Sequence, residues 1–303
     1  MRKVFVSYCH RQGDWVWNRL TPCLRYAGAE LLIDRERFEL GKGVMGQMDR
    51  LQDKADIHLL VLSDDYLKSK YCRHEMDRAI DADPTFTKGL VLPLKTDASD
   101  LPGRFGRVDS PLYLDMRDDS CVDAWERLFR ACRVDLGTSA PHWLSVADDL
   151  ALFLDRRQSV GLVVYGKNLN WRGLIQHVMT SRAPKLVAVD LDNPKTIERH
   201  GLLAEILNAL RIPHDISSDA SDLSKFSEAL KSREPSLVAL KHFDNVCHRD
   251  YGAELPKTLR HLIKDARKLV LLTQSHRPQN SFLPWNQEDS PLITSSVDLK
   301  GRE

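Results

Sequence analysis

The sequence predicts two α/β domains in tandem, each built on a parallel β-sheet that is covered by helices. Apolar, strand-like runs alternate with amphipathic helical segments along the chain, and this alternation is typical of parallel sheets buried on both faces. The length of 303 residues lies above the size at which a single hydrophobic core stops growing, about 250–300 residues. The helical pattern breaks at 136–141, where Gly, Thr, Ser and Pro occur close together. We therefore expect a first domain at 1–135, a linker at 136–144 and a second domain at 145–303.

The first domain contains a series of short predicted strands, each followed along the chain by a loop or a helix. Each strand is rich in branched apolar residues, and each helix has apolar residues on one face. Asp14 is the expected N-cap of the first helix, and Ser63 leads into the third. The strands are expected at 3–7, 30–33, 57–62, 90–94 and 111–114, and the helices at 14–26, 45–54, 64–81 and 121–132.

The second domain continues the alternation and predicts another parallel sheet. Its first helix is expected to be amphipathic. The strands are expected at 160–165, 185–190, 236–240, 268–273 and 292–299, and the helices at 145–156, 171–180, 197–210, 222–231 and 255–265.

The charge balance and the apolar runs exclude several classes of protein. The chain has 44 Lys and Arg residues against 43 Asp and Glu residues, a net charge of +1, which argues against direct binding of nucleic acid. The longest apolar runs, such as 59–62 and 269–272, are too short to cross a bilayer, and the amino terminus enters a strand without a signal-peptide core. We therefore expect a cytoplasmic protein without membrane contact.

The 6 cysteines show no C-x-x-C pair and no matching histidine spacing. A structural zinc site needs a set of four ligands that such pairs supply. The expectation is therefore reduced thiols, no disulfide and no metal.

A glycine pattern at 41–46 matches G-x-G-x-x-G, the fingerprint of dinucleotide-binding folds. In those folds the first glycine directly follows a strand, so that the amino terminus of a helix meets the pyrophosphate. Here the residues 34–40 separate the predicted strand from Gly41, and a complete β/α unit precedes that strand. We interpret this match as accidental.

Three motifs in the first domain follow its predicted strands. The first strand ends in Phe-Val-Ser-Tyr at 5–8, and the loop after the second strand carries Asp34 and a Leu-Gly pair. The helix after the third strand begins with Ser-x-x-Tyr-x-x-Ser-x-Tyr-Cys-x-x-Glu at 63–75. In this order the motifs resemble those of the Toll/interleukin-1 receptor (TIR) domain family, over residues 1 to about 133. The sequence departs from the family at Tyr71, where the family usually has Trp. The resemblance implies a flavodoxin-like parallel sheet.

The resemblance also implies an activity, because many bacterial and plant TIR domains cleave NAD⁺ at the nicotinamide–ribose bond. The catalytic glutamate of those members corresponds to Glu75. A carboxylate suits the reaction, since loss of nicotinamide leaves an oxocarbenium-like ribosyl cation that a negative charge stabilises. NAD⁺ is then a substrate, and no cofactor is expected. TIR domains that signal by assembly alone commonly lack this glutamate, so its presence favours an enzyme.

Further substrate-binding residues are expected around Glu75. Four of them lie at the carboxyl end of the first strand, where open α/β sheets bind ligands. Tyr71 and Cys72 share one face of a helix with Glu75, and Tyr71 is expected to stack on the nicotinamide or the ribose. Phe38 resembles the aromatic residue with which this loop covers the substrate, and Asp34 belongs to the same loop. The predicted substrate-binding residues are Ser7, Tyr8, Cys9, His10, Asp34, Phe38, Tyr71 and Cys72.

Several residues of the first domain also have a purely structural interpretation. Glu75 is alternatively a solvated helix carboxylate that pairs with Arg73 or Arg78, and Asp34 alternatively caps or braces its own loop. The remaining alternatives are core positions for Tyr8 and Tyr71 and surface positions for His10 and His74.

The second domain carries a segment that resembles a P-loop without its functional residues. Gly166 follows a predicted strand, but Trp171, Arg172 and Gly173 stand where G-x-x-x-x-G-K-[ST] has Gly, Lys and Ser or Thr. The loop then lacks both the glycine that lets the backbone approach phosphate and the hydroxyl that binds magnesium.

A later strand of the second domain agrees with this interpretation. The predicted strand at 236–240 ends in Lys-His, where an ATPase has the acidic pair that holds magnesium and the attacking water. We predict a degenerate P-loop (AAA/STAND-type) domain without ATP hydrolysis, and an unrelated α/β domain is the alternative. The residues expected to line the degenerate phosphate loop and to hold an anion are Gly166, Lys167, Arg172 and Lys241.

Together these features predict a bacterial-type immune effector that depletes NAD⁺ to ADP-ribose or converts it to a cyclic ADP-ribose signal. TIR active sites in the family commonly form between neighbouring subunits, so we expect a homo-oligomer through the TIR domains. An activating partner protein or ligand is expected at the C-terminal domain. The alternatives are a non-catalytic assembly adaptor and a nucleotide-sensing signalling protein whose TIR domain only oligomerises.

Overall fold

The computed structural model describes residues 1–33, 39, 41, 43–103, 105, 113–167, 169–282, 285 and 291–301, and the chain divides into two units, Met1–Leu144 and Ser145–Glu303. The segment 136–144, which the sequence predicts as a linker, is packed instead, because Leu136 and Ala140 are fully buried. A helix begins at Ala140, and Pro141 lies in its first turn. Proline is tolerated there because the first N–H groups of a helix have no intrahelical partner.

The sheet of the first unit contains the parallel strands β1 (Lys3–Tyr8), β2 (Glu30–Leu32), β3 (Ile57–Leu62), β4 (Val91–Lys95) and β5 (Leu114–Asp115). Their order across the sheet is β2-β1-β3-β4-β5. This is the flavodoxin-like order, in which the direction of winding reverses between β1 and β3. All residues of β3 are buried, as expected for a strand that is covered on both faces. The predicted fold of this domain is confirmed.

The described helices of the first unit are α1 at 13–26 (Gly13–Trp15, Val16–Leu20 and Thr21–Tyr26), α2 (Val44–Gln52), α3 (Asp64–Lys68), α4 (Lys70–Ala82) and α5 (Val122–Cys132). Helix α1 begins at Gly13, so Asp14 lies in its first turn and is not its N-cap. A carboxylate in this position is still favourable, because it faces the positive end of the helix dipole.

The helix predicted at 64–81 is two helices, α3 and α4, which are separated at Ser69. The backbone of Ser69 is extended, with φ −73° and ψ 126°, and its hydroxyl accepts a hydrogen bond from the backbone N–H of Cys72. Ser63 caps α3 in the same way through the N–H of Tyr66, at 3.1 Å. Each serine therefore starts its own helix. The second N-cap, Ser69, starts a new helix before the chain reaches Glu75.

Helix α4 packs on β3 and contributes most of its apolar face to the core of the first unit. Met76, Ala79 and Ile80 contact a cluster that includes Leu60 and Leu62 of β3. Because these residues recur three and four positions apart, the same side of α4 faces the sheet along its length. The core therefore fixes the rotation of α4, and with it the direction in which Glu75 points.

The sheet of the second unit contains the parallel strands β6 (Val160–Tyr165), β7 (Leu186–Asp190), β8 (Ser236–Lys241), β9 (Leu269–Ser275) and β10 (Ser295–Lys300). Their order is β10-β6-β9-β8-β7. All residues of β9 are buried. The winding reverses at β6, so the loop after β6 lies at the switch point of this sheet, where open sheets bind ligands.

The described helices of the second unit are α6 (Ala140–Asp155), which begins in the first unit, α7 at 171–182 (Trp171–His177 and Val178–Arg182), α8 (Arg199–Ala209), α9 (Asp222–Lys231) and α10 at 254–265 (Glu254–Arg260 and His261–Asp265). A core that includes the fully buried Phe226, Phe243 and Phe282 joins several of them to the sheet. No helix in the described part of the chain combines the length and the hydropathy that spanning a membrane requires.

Candidate active site

A cavity of about 890 Å³ lies in the first unit at the carboxyl end of β1. The position is the switch point between β1 and β3, and the volume falls in the range of small-molecule sites. The residues of the predicted site that line it are Tyr8, Cys9, His10, Tyr71, Cys72 and Glu75. The other lining residues are Gly13, Asp14, Trp17, Asn18, Val44, Met48 and Ser69.

Glu75 is a buried carboxylate that is only 6% exposed. Its Oε2 accepts a hydrogen bond of 2.5 Å from Ser7 Oγ, and its backbone carbonyl accepts one of 2.7 Å from the side chain of Gln52. The alternative of a solvated helix carboxylate does not hold, because the side chain is buried, and Arg78 pairs with Asp49 and Asp53. Buried carboxylates are uncommon unless they are hydrogen-bonded, so this arrangement is a specific one.

Tyr66 completes the surroundings of Glu75, although the sequence did not single it out as a site residue. Its hydroxyl lies 2.7 Å from Ser7 Oγ, and its side chain is fully buried. Burial raises the pKa of Tyr66 well above its usual range, and the negative charge of Glu75 adds to the rise. The tyrosine therefore stays protonated. Its place in the Ser-x-x-Tyr motif is the signal by which sequence reasoning could have found it.

Aromatic side chains form a wall of the cavity. The hydroxyl of Tyr8 accepts a hydrogen bond of 3.0 Å from Trp17 Nε1, and the Tyr8 ring meets the His10 ring edge-on at 5.9 Å. Trp17 was not predicted as a site residue. Tyr71 is 57% exposed, so the alternative of a core position is wrong for it, whereas Tyr8 is buried. Flat rings placed in this way can bind a heterocycle by stacking.

Cys72 lies between Glu75 and β1 and acts as a packing residue. Its Sγ donates a hydrogen bond to the carbonyl of Tyr8 at 3.6 Å. Burial raises the pKa of the Cys72 thiol to about 12. A thiol in this state is a poor nucleophile, because the thiolate is the reactive form. Of the remaining predicted residues, Ser7 contacts Glu75 rather than lining the cavity, and Asp34 and Phe38 lie outside the described residues.

The carboxyl edge of the second sheet holds a different polar cluster. The guanidinium of Arg172 lies 4.4 Å from the centre of the Trp171 ring, and its Nη2 is 2.9 Å from His242 Nε2. The other imidazole nitrogen, Nδ1, is 2.6 Å from Asp190 Oδ1. Because a guanidinium only donates, Nε2 must accept and Nδ1 must carry the proton. Arg172, predicted to hold an anion, is exposed, and its guanidinium contacts His242 and Trp171.

The other predicted phosphate-loop residues fall into two groups. Lys241 Nζ lies 3.8 Å from Asp190 Oδ2, so it joins the same cluster as Arg172. Gly166 and Lys167 are exposed in the loop after β6, and Gly166 has a φ of +127°, which favours glycine. The structure thus brings Arg172 and Lys241 into one cluster, which is centred on Asp190 and His242. Asp190 was not predicted as a site residue.

Asp190, Asp192 and His242 each offer one possible metal-ligand atom, and these three atoms lie within 4.8 Å of one another. The sequence predicted no metal site. Both nitrogens of His242 are engaged, by Arg172 and by the carboxylates, and Lys241 supplies a further positive charge. This donor set does not fit a metal, since a ligating nitrogen must be unprotonated. We assign the cluster to an ion-pair network.

Replacement of Asp190 by Asn is expected to destabilise the protein by about 1 kcal/mol at pH 7, a value reduced for the partial exposure of the group. Burial opposes ionisation of Asp190, but the N–H of Asp192, His242 and Lys241 together lower its pKa. A lowered pKa stabilises the fold above the unfolded value, about 3.9, and this stabilisation is lost as the pH falls through the folded value. Thermal unfolding at pH 7 and pH 3 measures the effect, which should shrink at pH 3. Asp149→Asn, at an exposed site, is the control, and an equal loss in both variants would contradict the assignment.

Comparison with protein families and with known proteins finds similarity to TIR domains. Residues 4–130 match the family model described as TIR domain. Toll-like receptor 1 of Homo sapiens is 28% identical over 72 residues, which are 24% of this chain and 9% of that one. Toll-like receptor 6 of Bos taurus is 26% identical over the same length, again 24% and 9%. The chain thus spans about a tenth of the length of these relatives.

Several solved structures are similar to parts of the chain. The TIR domain of the Toll-related receptor TRR-2 from Hydra magnipapillata is 19% identical, with 44% of this chain and 99% of that one covered and a TM-score of 0.38. Cdc6p from Pyrobaculum aerophilum is 16% identical, covering 48% and 42%, with a TM-score of 0.35. A Walker-type ATPase of Pyrococcus abyssi is 15% identical, covering 52% and 52%, with a TM-score of 0.33.

Proposed function

Residues 4–130 of this chain are a TIR domain, followed by an α/β domain that resembles P-loop ATPases, and from that premise we propose that the protein is an NAD⁺ nucleosidase. One observation carries the proposal. Glu75, the residue in the catalytic position of NAD⁺-cleaving TIR domains, is a buried, hydrogen-bonded carboxylate in the wall of a cavity of about 890 Å³ at the switch point of the sheet. A surface carboxylate of purely structural use would not need this setting.

The charges of the cavity suit the bond that is to be broken. Among its described lining residues, the carboxylates are Glu75 and Asp14, and the nicotinamide ring of NAD⁺ carries a positive charge. When the ring leaves as neutral nicotinamide, the positive charge passes to the ribose. Glu75 then stabilises the oxocarbenium-like cation, as the second carboxylate of a glycosidase does.

The aromatic residues would orient the substrate. Tyr71, four residues before Glu75 on α4, and the Tyr8–Trp17 pair offer ring faces for the nicotinamide. Attack of water on the cation gives ADP-ribose, and attack of the adenine of the same molecule gives cyclic ADP-ribose. We propose a role as a bacterial anti-phage effector that acts through either product.

Assembly through the TIR domain is the second part of the proposal. Tyr71, Val44 and Met45 are exposed by 57%, 46% and 37%, and the first two line the cavity. Apolar side chains at the rim of a site favour contact with another protein surface. We propose that copies of the TIR domain associate at this rim, and that a partner or ligand of the second domain controls the association.

We propose that the second domain does not hydrolyse ATP. The side chain of Asn170 accepts a hydrogen bond of 2.8 Å from the N–H of Gly173, so the start of α7, where a P-loop binds phosphate, is capped from within. β8 ends in Lys241 and is followed by His242 in place of the acidic pair that holds magnesium.

The experiment that tests the proposed function compares NAD⁺ with NADH. The purified chain, alone and clustered on a multivalent support, is incubated with each dinucleotide, and nicotinamide and ADP-ribose products are separated by chromatography. NAD⁺ should be cleaved and NADH should not, because dihydronicotinamide is uncharged and a poor leaving group. Absence of nicotinamide release even from the clustered protein would favour the adaptor, for which the exposed apolar rim is the supporting observation.

A further inference from the structure

We propose that Tyr66 is a positioning residue that holds Glu75 in its ionised, reactive state through Ser7, an inference that rests on the proposed function. The three side chains form one chain of hydrogen bonds. Tyr66 Oη lies 2.7 Å from Ser7 Oγ, which lies 2.5 Å from Glu75 Oε2. The exposed fractions of Tyr66, Ser7 and Glu75 are 0%, 1% and 6%, so the chain is shielded from water.

The donors and acceptors of the chain have one consistent direction. An ionised carboxylate can only accept, so the single proton of the Ser7 hydroxyl must point to Glu75. Ser7 Oγ can then only accept from Tyr66, which becomes the terminal donor. With the proton of a neutral Glu75 on Oε1, the chain would keep its direction, but the bond from Ser7 would no longer be charge-assisted. With that proton on Oε2, the chain would reverse, and the proton of Tyr66 would need another acceptor. Among the described residues, the hydrogen bonds of Tyr66 Oη include no second partner. The geometry therefore favours the carboxylate form of Glu75.

Three different elements hold the chain in place. Ser7 is on β1, Tyr66 is on α3, and Glu75 is on α4. The break at Ser69 separates the two helices, so that both Tyr66 and Glu75 can reach the end of β1 from the helices that follow β3. A continuous helix would place residues nine positions apart on directions about 180° from each other. The second N-cap thus serves the site as well as the local backbone.

This arrangement solves a conflict that burial creates for a catalytic carboxylate. Burial favours the neutral acid, but a neutral acid cannot stabilise a ribosyl cation. Hydrogen bonds donated to the carboxylate oppose the effect of burial, and a hydroxyl that itself accepts a hydrogen bond is a stronger donor. Tyr66 therefore acts on the reaction without touching the substrate.

The test uses Tyr66→Phe, which removes the hydroxyl and keeps the ring in the core. We expect kcat for NAD⁺ cleavage to fall about 10-fold with KM nearly unchanged, and the acid limb of the pH–rate profile to move up by about one pH unit. Once Ser7→Ala has removed the middle of the chain, Tyr66→Phe should cause little further loss. The matched control is Tyr251→Phe in the second unit, a buried tyrosine whose hydroxyl donates a hydrogen bond to the Thr196 carbonyl and accepts one from Arg249. It should leave the pH–rate profile unchanged.

A readout that needs no catalysis separates this inference from the proposed function. The difference in melting temperature between wild type and Tyr66→Phe is measured at pH 7 and at pH 4. It should be larger at pH 7, because the chain supports the charged carboxylate, whereas the difference for Tyr251→Phe should not depend on pH. If no NAD⁺ is cleaved but the pH-dependent difference is found, the proposed function fails and the positioning role stands. An equal difference at both pH values, or full and additive losses in the double variant, would overturn the inference.

Discussion

Replacement of Glu75 by Gln is expected to lower the rate of NAD⁺ cleavage at least about 100-fold, the loss seen when one group that stabilises developing charge is removed. Glutamine has the shape of glutamate, and its carbonyl oxygen can still accept the hydrogen bond that Ser7 donates to Oε2. What the variant lacks is the negative charge. In the bound substrate the positive charge lies on the nicotinamide ring, and in the transition state it lies on the ribose. Loss of the Glu75 charge should therefore lower kcat and leave KM nearly unchanged.

Chromatography of released nicotinamide measures this effect, and the melting temperature verifies that the variant is folded. Asp14→Asn is the matched control, because Asp14 is a second carboxylate of the same cavity but lies exposed in the first turn of α1. It should retain most of the wild-type rate. If Glu75→Gln cleaved NAD⁺ as fast as wild type, or if both variants lost activity equally, the assignment of Glu75 as the catalytic residue would be wrong.

Replacement of Gly201 by Ala is expected to destabilise the second unit by about 3 kcal/mol, at the upper end of the range for overpacking. Gly201 lies in the first turns of α8, and a Cβ atom at this position would be 2.0 Å from the carbonyl oxygen of Lys195. The obstacle is a backbone atom, in the turn Pro194–Thr196 whose Thr196 is fully buried. Relief therefore requires the turn and the helix to separate.

The matched control is Gly46→Ala, the same substitution in helix α2. No atom lies within 4 Å of a Cβ atom at Gly46, so alanine should stabilise the helix by about 0.5–1 kcal/mol. Chemical unfolding and calorimetry of the full chain measure the free energy of unfolding of each variant. The changes relative to wild type should have opposite signs for the two variants. Equal effects would mean that the close approach at Gly201 does not restrict this position.

Most of the secondary structure could be predicted from local patterns. The strands at 57–62 and 160–165 and the helix at 222–231 have the predicted bounds, because a strand that is buried on both faces needs a continuous apolar run and an amphipathic helix needs a periodic one. The errors concern chain breaks. Pro141 was assigned to a linker but lies in the first turn of a helix that begins at Ala140, and Ser69 was placed inside a helix that it divides.

The candidate site was predicted in part, because its motifs share one end of the sheet. Tyr8 follows from the rule that ligands bind at the carboxyl ends of parallel strands, and Cys72 follows from its place on the same helix face as Glu75. Both line the cavity. Trp17 was missed, since an aromatic residue on an amphipathic helix is indistinguishable by sequence from a core residue. Whether the lining residues bind NAD⁺ is the question that the cleavage experiments answer.

The sequence by itself determined the two α/β domains, the positions of their strands and the TIR motifs, since these depend on residues that lie within a few positions of one another. The tertiary structure alone decided which polar groups meet. Ser7 and Glu75 are 68 positions apart, and His242 and Asp190 are 52 apart. Such pairs form only when the order of the strands brings their ends to one edge of a sheet, and no local pattern encodes that order. Burial then makes each pair matter, because a polar group that is removed from water must find its partner in the protein.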